Sequence, residues 1–187
     1  MKINITKNGR QELDRLGFEI ETSLDTILAF IPKSDSKGIS EIIVTDFPNH
    51  QEGSKKHKSL AAYVKQSSNK PAHIVIYLKN LFAHIGSGES FNLMLPIQEF
   101  GLSKVIFHEL GHHVRITKSH GVPKIKSEKF ADCYSEKIMK NYLIYSAPKI
   151  DKCFKILGAL AKKGKMSVAT VENMKTGWEE YRKELRQ

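Results

Sequence analysis

Four of the chain's eight histidines, His108, His112, His113 and His120, lie within thirteen residues. Two of them flank the run His108-Glu109-Leu110-Gly111-His112, an HExxH pattern. Residues i and i+4 of a helix share a face, so the imidazoles of His108 and His112 can reach one zinc ion while Glu109 stands beside them. A carboxylate in that place suits a general base acting on water. His113 projects about 100° round the helix from His112 and reads as structural.

A catalytic zinc takes three protein ligands. The metzincin pattern would put a histidine at position 118, which is Lys118 here. The better candidate is Glu128. The segment Glu128-Lys129-Phe130-Ala131-Asp132-Cys133-Tyr134 places it early on the next helix, with Asp132 one turn later on the same face. Together with HExxH, this resembles the gluzincin-type zinc metallopeptidases, in which Glu-x-x-(Ala/Ser)-(Asp/Glu) follows on a downstream helix. Through Phe130, Ala131 and Tyr134 it looks like compact members such as the lethal-factor-like peptidases and the metallopeptidase domains of phage and mobile elements. The resemblance spans Val105 to about Tyr134. It implies a zincin-like fold and one Zn2+ per chain, held by His108, His112 and Glu128. It also implies that Asp132 accepts a hydrogen bond from His108. The activity implied is endopeptidase hydrolysis of a protein substrate by zinc-activated water, with Glu109 as general base. His120, Tyr134 and Tyr142 stand as candidates for a further donor to the developing oxyanion. Ile116 stands where some related regulatory proteases carry another histidine, and no cysteine precedes the motif to act as the thiolate ligand of a deformylase.

The motif needs a helix to carry it. Leu102, Val105, Ile106, Leu110, Val114 and Ile116 supply that periodicity over residues 101–117. A second helix is expected over 127–145 with Ser127 as N-cap and Pro148 beyond its end, and a third over 149–161. A last one runs from Ser167, again an N-cap, to the C-terminus, with Val171, Met174, Trp178 and Tyr181 as core anchors. The first half carries strand-like runs at 27–31, 42–45, 61–64 and 73–78, with exposed loops over 49–59 and 86–90. The expected whole is one α+β domain over residues 1–187. A small mixed sheet in the N-terminal half packs on the active-site helix, and the C-terminal half is helical. The run 73–78 is expected to be an edge strand that pairs with the extended substrate, with an ordinary central strand as the alternative.

Charge adds a second theme. The net charge is +10, and residues 118–165 hold twelve lysines against Glu128, Asp132, Glu136 and Asp151, or +8 of it. On a helical wheel Lys126, Lys129, Lys137 and Lys140 form a stripe away from Glu128 and Asp132. A solvated surface accounts for it; the functional account is docking to an acidic protein substrate, nucleic acid or membrane. Nucleic acid is the weaker partner, because lysine outnumbers arginine 25 to 5 and few aromatics interleave. This leaves an alternative to catalysis: a zincin-like interaction module whose basic surface binds an acidic protein or nucleic acid. No run approaches the ~18 apolar residues of a membrane span and the N-terminus has no apolar signal core, so a cytoplasmic chain is expected. Cys133 and Cys153 are too few for a disulfide framework and read as reduced, mostly buried thiols.

Overall fold

The structure is a computed structural model that describes residues 1–48, 58–68, 70–83, 89–118 and 125–186. Its elements run β1 (Lys2–Ile5), α1 (Lys7–Leu16), α2 (Ile20–Leu28), β2 (Ile39–Thr45), β3 (Ala61–Val64), β4 (Ala72–Tyr77), α3 (Leu78–Leu81), α4 (Glu89–Leu93), α5 (Leu95–Lys118), α6 (Ile125–Lys162) and α7 (Val168–Arg186). The fold is α+β, with a mixed four-stranded sheet in the order β1-β2-β4-β3. β1, β2 and β4 are parallel, and β3 is antiparallel to β4. No helix among the described residues is long and apolar enough to cross a membrane.

The N-terminal elements depart from expectation in two places. The apolar run at 27–31 is not a strand: Ile27 and Leu28 close α2. Ile20, Leu24 and Ile27 are all fully buried at helical spacing, so the run continues one helical stripe onto the core. The run at 73–78 is a strand, but β4 is interior, flanked by β2 and β3. The edge facing α5 is β3. β1, α1 and α2 have no counterpart in the sequence reading. α1 is bounded by Thr6, whose hydroxyl accepts from the Gly9 N–H at 3.0 Å, and by Gly17 at φ 69. Of the two expected loops, residues 49–57 and 86–88 lie outside the described residues, and Glu89 and Ser90 open α4.

The helical half has fewer breaks than its prolines suggest. α5 begins at Leu95, six residues before the expected start, because Pro96 sits in its first turn, where a missing N–H costs nothing. The two helices expected on either side of Pro148 are one, α6, about 57 Å long at 1.5 Å per residue. Pro148 removes the donor for the Ile144 carbonyl, but Ile144 is 79% exposed and water can serve instead. Meanwhile Ala131, Ser135, Met139, Tyr142, Ser146, Ile150, Cys153, Leu157 and Ala161 form one unbroken buried stripe, so packing carries the helix through the proline. Ser167 caps α7, accepting from the Thr170 N–H at 3.3 Å. Trp178 is buried and donates through Nε1 to Asp151 at 2.9 Å, which ties α7 to α6. Cys153 is buried and Cys133 exposed, which corrects the expectation for Cys133; both thiols are free.

α5 and α6 meet through small residues. A Cβ added at Gly111 would lie 2.7 Å from the Ala131 Cα, closer than any real contact. Ser135 donates to the Lys104 carbonyl at 3.2 Å, and the Ser103 hydroxyl lies 3.4 Å from the Met139 sulfur. Partners descend α5 as they ascend α6, so the helices run antiparallel. Gly111→Ala is expected to push them apart and cost about 1–3 kcal/mol. Gly101→Ala, ten residues earlier on α5 with nothing within 4 Å of the added Cβ, is expected to stabilise by about 0.5–1 kcal/mol through helix propensity. Urea unfolding midpoints of the two variants should move in opposite directions.

Candidate metal centre

The antiparallel contact sets the HExxH turn of α5 against the first turns of α6. His108 Nε2 and His112 Nε2 are 3.2 Å apart, and Glu128 Oε2 lies 3.4 Å from the first and 3.6 Å from the second. Among the described residues this is the one His/Cys/Asp/Glu group spaced to hold a metal ion. A tetrahedral zinc with bonds of about 2.0–2.1 Å separates its ligand atoms by about 3.3 Å, so the triangle has the edge lengths of such a site. The opposite face of each ring is also partnered. His108 Nδ1 lies 2.9 Å from Asp132 Oδ1, and His112 Nδ1 lies 3.1 Å from the Ser127 hydroxyl. A carboxylate can only accept, so His108 carries its proton on Nδ1 and turns a lone pair toward His112 and Glu128. The Ser127 hydroxyl can donate or accept; when it accepts from His112 Nδ1, both Nε2 atoms and the Glu128 carboxylate turn lone pairs toward one point. A bound cation satisfies that arrangement, so the residues fit the metal. Ser127 was expected as the N-cap of its helix; α6 begins two residues earlier, and the serine instead orients His112.

Glu109 sits beside this triangle, at the seam between α5 and the sheet. Its Oε2 accepts the backbone N–H of Tyr63, on the open edge of β3, at 2.7 Å. Burial pushes the Glu109 carboxyl above the usual carboxylate range, opposed by the Tyr63 hydrogen bond. Burial likewise lowers His112, which favours the neutral ring that a metal requires. A cleft of about 600 Å3 opens along the same seam, with Leu60, Ala61, Leu81, Gly101 and Val105 leading to His108 and Glu109.

The three candidate oxyanion donors fare differently. Tyr142 is in the core, 1% exposed, edge-on to Phe30 and Phe107, so it does not belong to the site. Tyr134 donates its hydroxyl to Asp35 Oδ2 at 2.8 Å, away from the histidines, and burial together with that carboxylate pushes its phenol well up. On α6, Tyr134 stands about 120° round the helix from Glu128, and Tyr142 lies fourteen residues, about 21 Å, further along it. His120 lies outside the described residues. His113 is buried, its Nε2 2.9 Å from the Lys37 carbonyl and its Nδ1 3.1 Å from the Tyr63 hydroxyl. Of the lysine stripe, Lys129, Lys137 and Lys140 are exposed, and the Lys126 side chain lies outside the described residues. Sequence reasoning missed Ser127, Tyr63 and Asp35. Only the polar type of Ser127, one residue before Glu128, could have hinted at its part.

Comparison of the chain with protein-family models, with curated proteins and with solved structures returns no match in any of the three.

Asp35, in the turn between α2 and β2, fastens the C-terminal end of α5 to α6. It accepts from Lys118 Nζ at 2.5 Å and from Tyr134. Burial pushes the Asp35 carboxyl up, but the hydrogen bonds from Lys118, Tyr134 and Ser34 together outweigh it and hold the group below its ordinary value. The unfolded chain therefore binds this proton more readily than the folded one. The stabilisation is complete above the unfolded value of about 3.9 and is lost as pH falls through the lower folded value. Asp35→Asn should be less stable than the wild type at pH 6, with the difference shrinking toward pH 3. A difference in urea midpoint that stays constant across that range would contradict the ionised pairing.

Proposed function

We propose that this chain is a zinc-dependent endopeptidase of gluzincin type, with His108, His112 and Glu128 as metal ligands and Glu109 as general base. The observation that carries the reading is the convergence of His108 Nε2, His112 Nε2 and Glu128 Oε2 at tetrahedral spacing, with the half-buried carboxylate of Glu109 beside them. When bound, the zinc would supply Lewis-acid chemistry, acidifying a water and polarising a carbonyl. Asp132 keeps His108 in the tautomer that offers Nε2, and Ser127 orients the His112 ring and can accept from its Nδ1. Glu109 takes a proton from the attacking water through its carboxylate and passes it to the amide nitrogen as the C–N bond breaks. β3, not β4, is the edge on which an extended peptide would lie, since its outer side borders both Glu109 and the cleft. The exposed lysines of α6 suit an acidic protein substrate.

The reading requires one zinc per chain, little or none in Glu128→Ala, and metal affinity about 10–100-fold weaker in Asp132→Asn. Glu109→Ala should keep its zinc and lose at least about 100-fold in turnover on a peptide library. Metal analysis after dialysis and a fluorogenic peptide assay check these outcomes. Unchanged zinc in Glu128→Ala would remove the third ligand. Full occupancy without turnover on any peptide or protein would favour the interaction module instead.

A further inference from the structure

Glu109 is not held by its own helix. Its hydrogen-bond partner is a main-chain N–H on another element, and what fixes that N–H is the side chain of the same residue. Tyr63 reaches α5 twice: its N–H goes to Glu109 at 2.7 Å, and its hydroxyl meets His113 Nδ1 at 3.1 Å. Glu109 and His113 are i and i+4, one turn apart on one face. The His113 ring is edge-on to the Tyr63 ring at 5.4 Å and anchored by Nε2 to the Lys37 carbonyl at 2.9 Å. A carbonyl can only accept, so Nε2 carries the proton and Nδ1 accepts from the Tyr63 hydroxyl. The chain Lys37 C=O, His113, Tyr63 hydroxyl, Tyr63 N–H and Glu109 thus has every donor and acceptor assigned. It is buried where it matters, His113 being 2% exposed.

We infer that His113 and Tyr63 are positioning residues for the general base: they clamp the open edge of β3 at the register that presents the Tyr63 N–H to the Glu109 carboxylate. β3 pairs with β4 along one side only, so on its outer side the hydrogen bonds of Tyr63 are what tie it to α5. Without the phenol–imidazole contact, the N–H loses its fixed place and the carboxylate loses its orientation. The inference rests on Glu109 being the base, but the clamp itself needs neither metal nor turnover.

The test is amide exchange by NMR on the full chain without added metal, paired with steady-state kinetics on the zinc-loaded protein. Ala62 is the internal control: Leu60 bonds to β4 through its carbonyl, so by strand alternation the Ala62 N–H also faces β4 while that of Tyr63 faces α5. In Glu109→Ala the Tyr63 amide should exchange about tenfold faster, with Ala62 unchanged. In Tyr63→Phe, which keeps the ring and the strand, the amide of residue 63 should also speed up several-fold with Ala62 unchanged. Its kcat should fall about tenfold while KM stays within twofold. Unaltered exchange at residue 63 in Tyr63→Phe would overturn the clamp, as would equal acceleration at Ala62, or a raised KM with kcat preserved. Absence of turnover in the zinc-loaded wild type would sink the peptidase reading, and the exchange measurements alone would then decide the clamp.

Discussion

The approach of α5 to α6 at Gly111 and Ala131 is the contact on which everything else depends. Each candidate ligand set is split between the two helices: His108 and His112 on one, Glu128, Asp132 and Ser127 on the other. Side chains of this length bridge two helices only where the backbones come close, and a glycine facing an alanine permits that. Leu110 and Gly111, the two variable positions of HELGH, therefore do separate work. Leu110 is fully buried in the core, and Gly111 makes room for α6.

The site is held from three sides by elements that do not share a local origin. α5 presents both imidazoles, and α6 supplies the groups that hydrogen-bond their Nδ1 atoms. The sheet reaches in through β3 to grip Glu109. Rigid elements suit this task because their own packing, not the ligand, sets the geometry. Glu128 and Asp132 keep about two-thirds of their side-chain surface in water, 66% and 63%, while His112 is at 17%. Solvent on the acidic side screens the crowding of lone pairs, and burial favours the neutral form of His112. Asp35, with Lys118 and Tyr134, pins the C-terminal end of α5 to α6 without entering the site.

Much of this was legible in residue spacing, and the failures share a cause. The HExxH helix, the 61–64 and 73–78 strands and the α7 stripe all rest on local periodicity or a local cap, and all are present. The 27–31 run failed because five apolar residues fit strand or helix alike; only the burial of Ile20, Leu24 and Ile27 on one side decides. Pro148 failed as a stop because its local cost was offset by a stripe that continues from Ala131 to Ala161. β4 failed as an edge because strand order is a property of pairing, here across about 9 to 33 residues, and no residue of β4 states who its neighbours are.

What the sequence by itself determined is the α+β alternation, the pairing of His108 with His112 on one helix face, and the pairing of Glu128 with Asp132 on the next. All are short-range consequences of 3.6- and 2-residue periods. Tertiary structure alone decided that these two faces meet, that Ser127 and not only Asp132 orients a histidine, and that Tyr134 and Tyr142 turn elsewhere. It also decided that Glu109 is gripped by a main-chain N–H 46 residues away. The physical reason is that a backbone amide carries no residue type. Where it points is set by strand register and helix approach, which arise from the packing of the whole core.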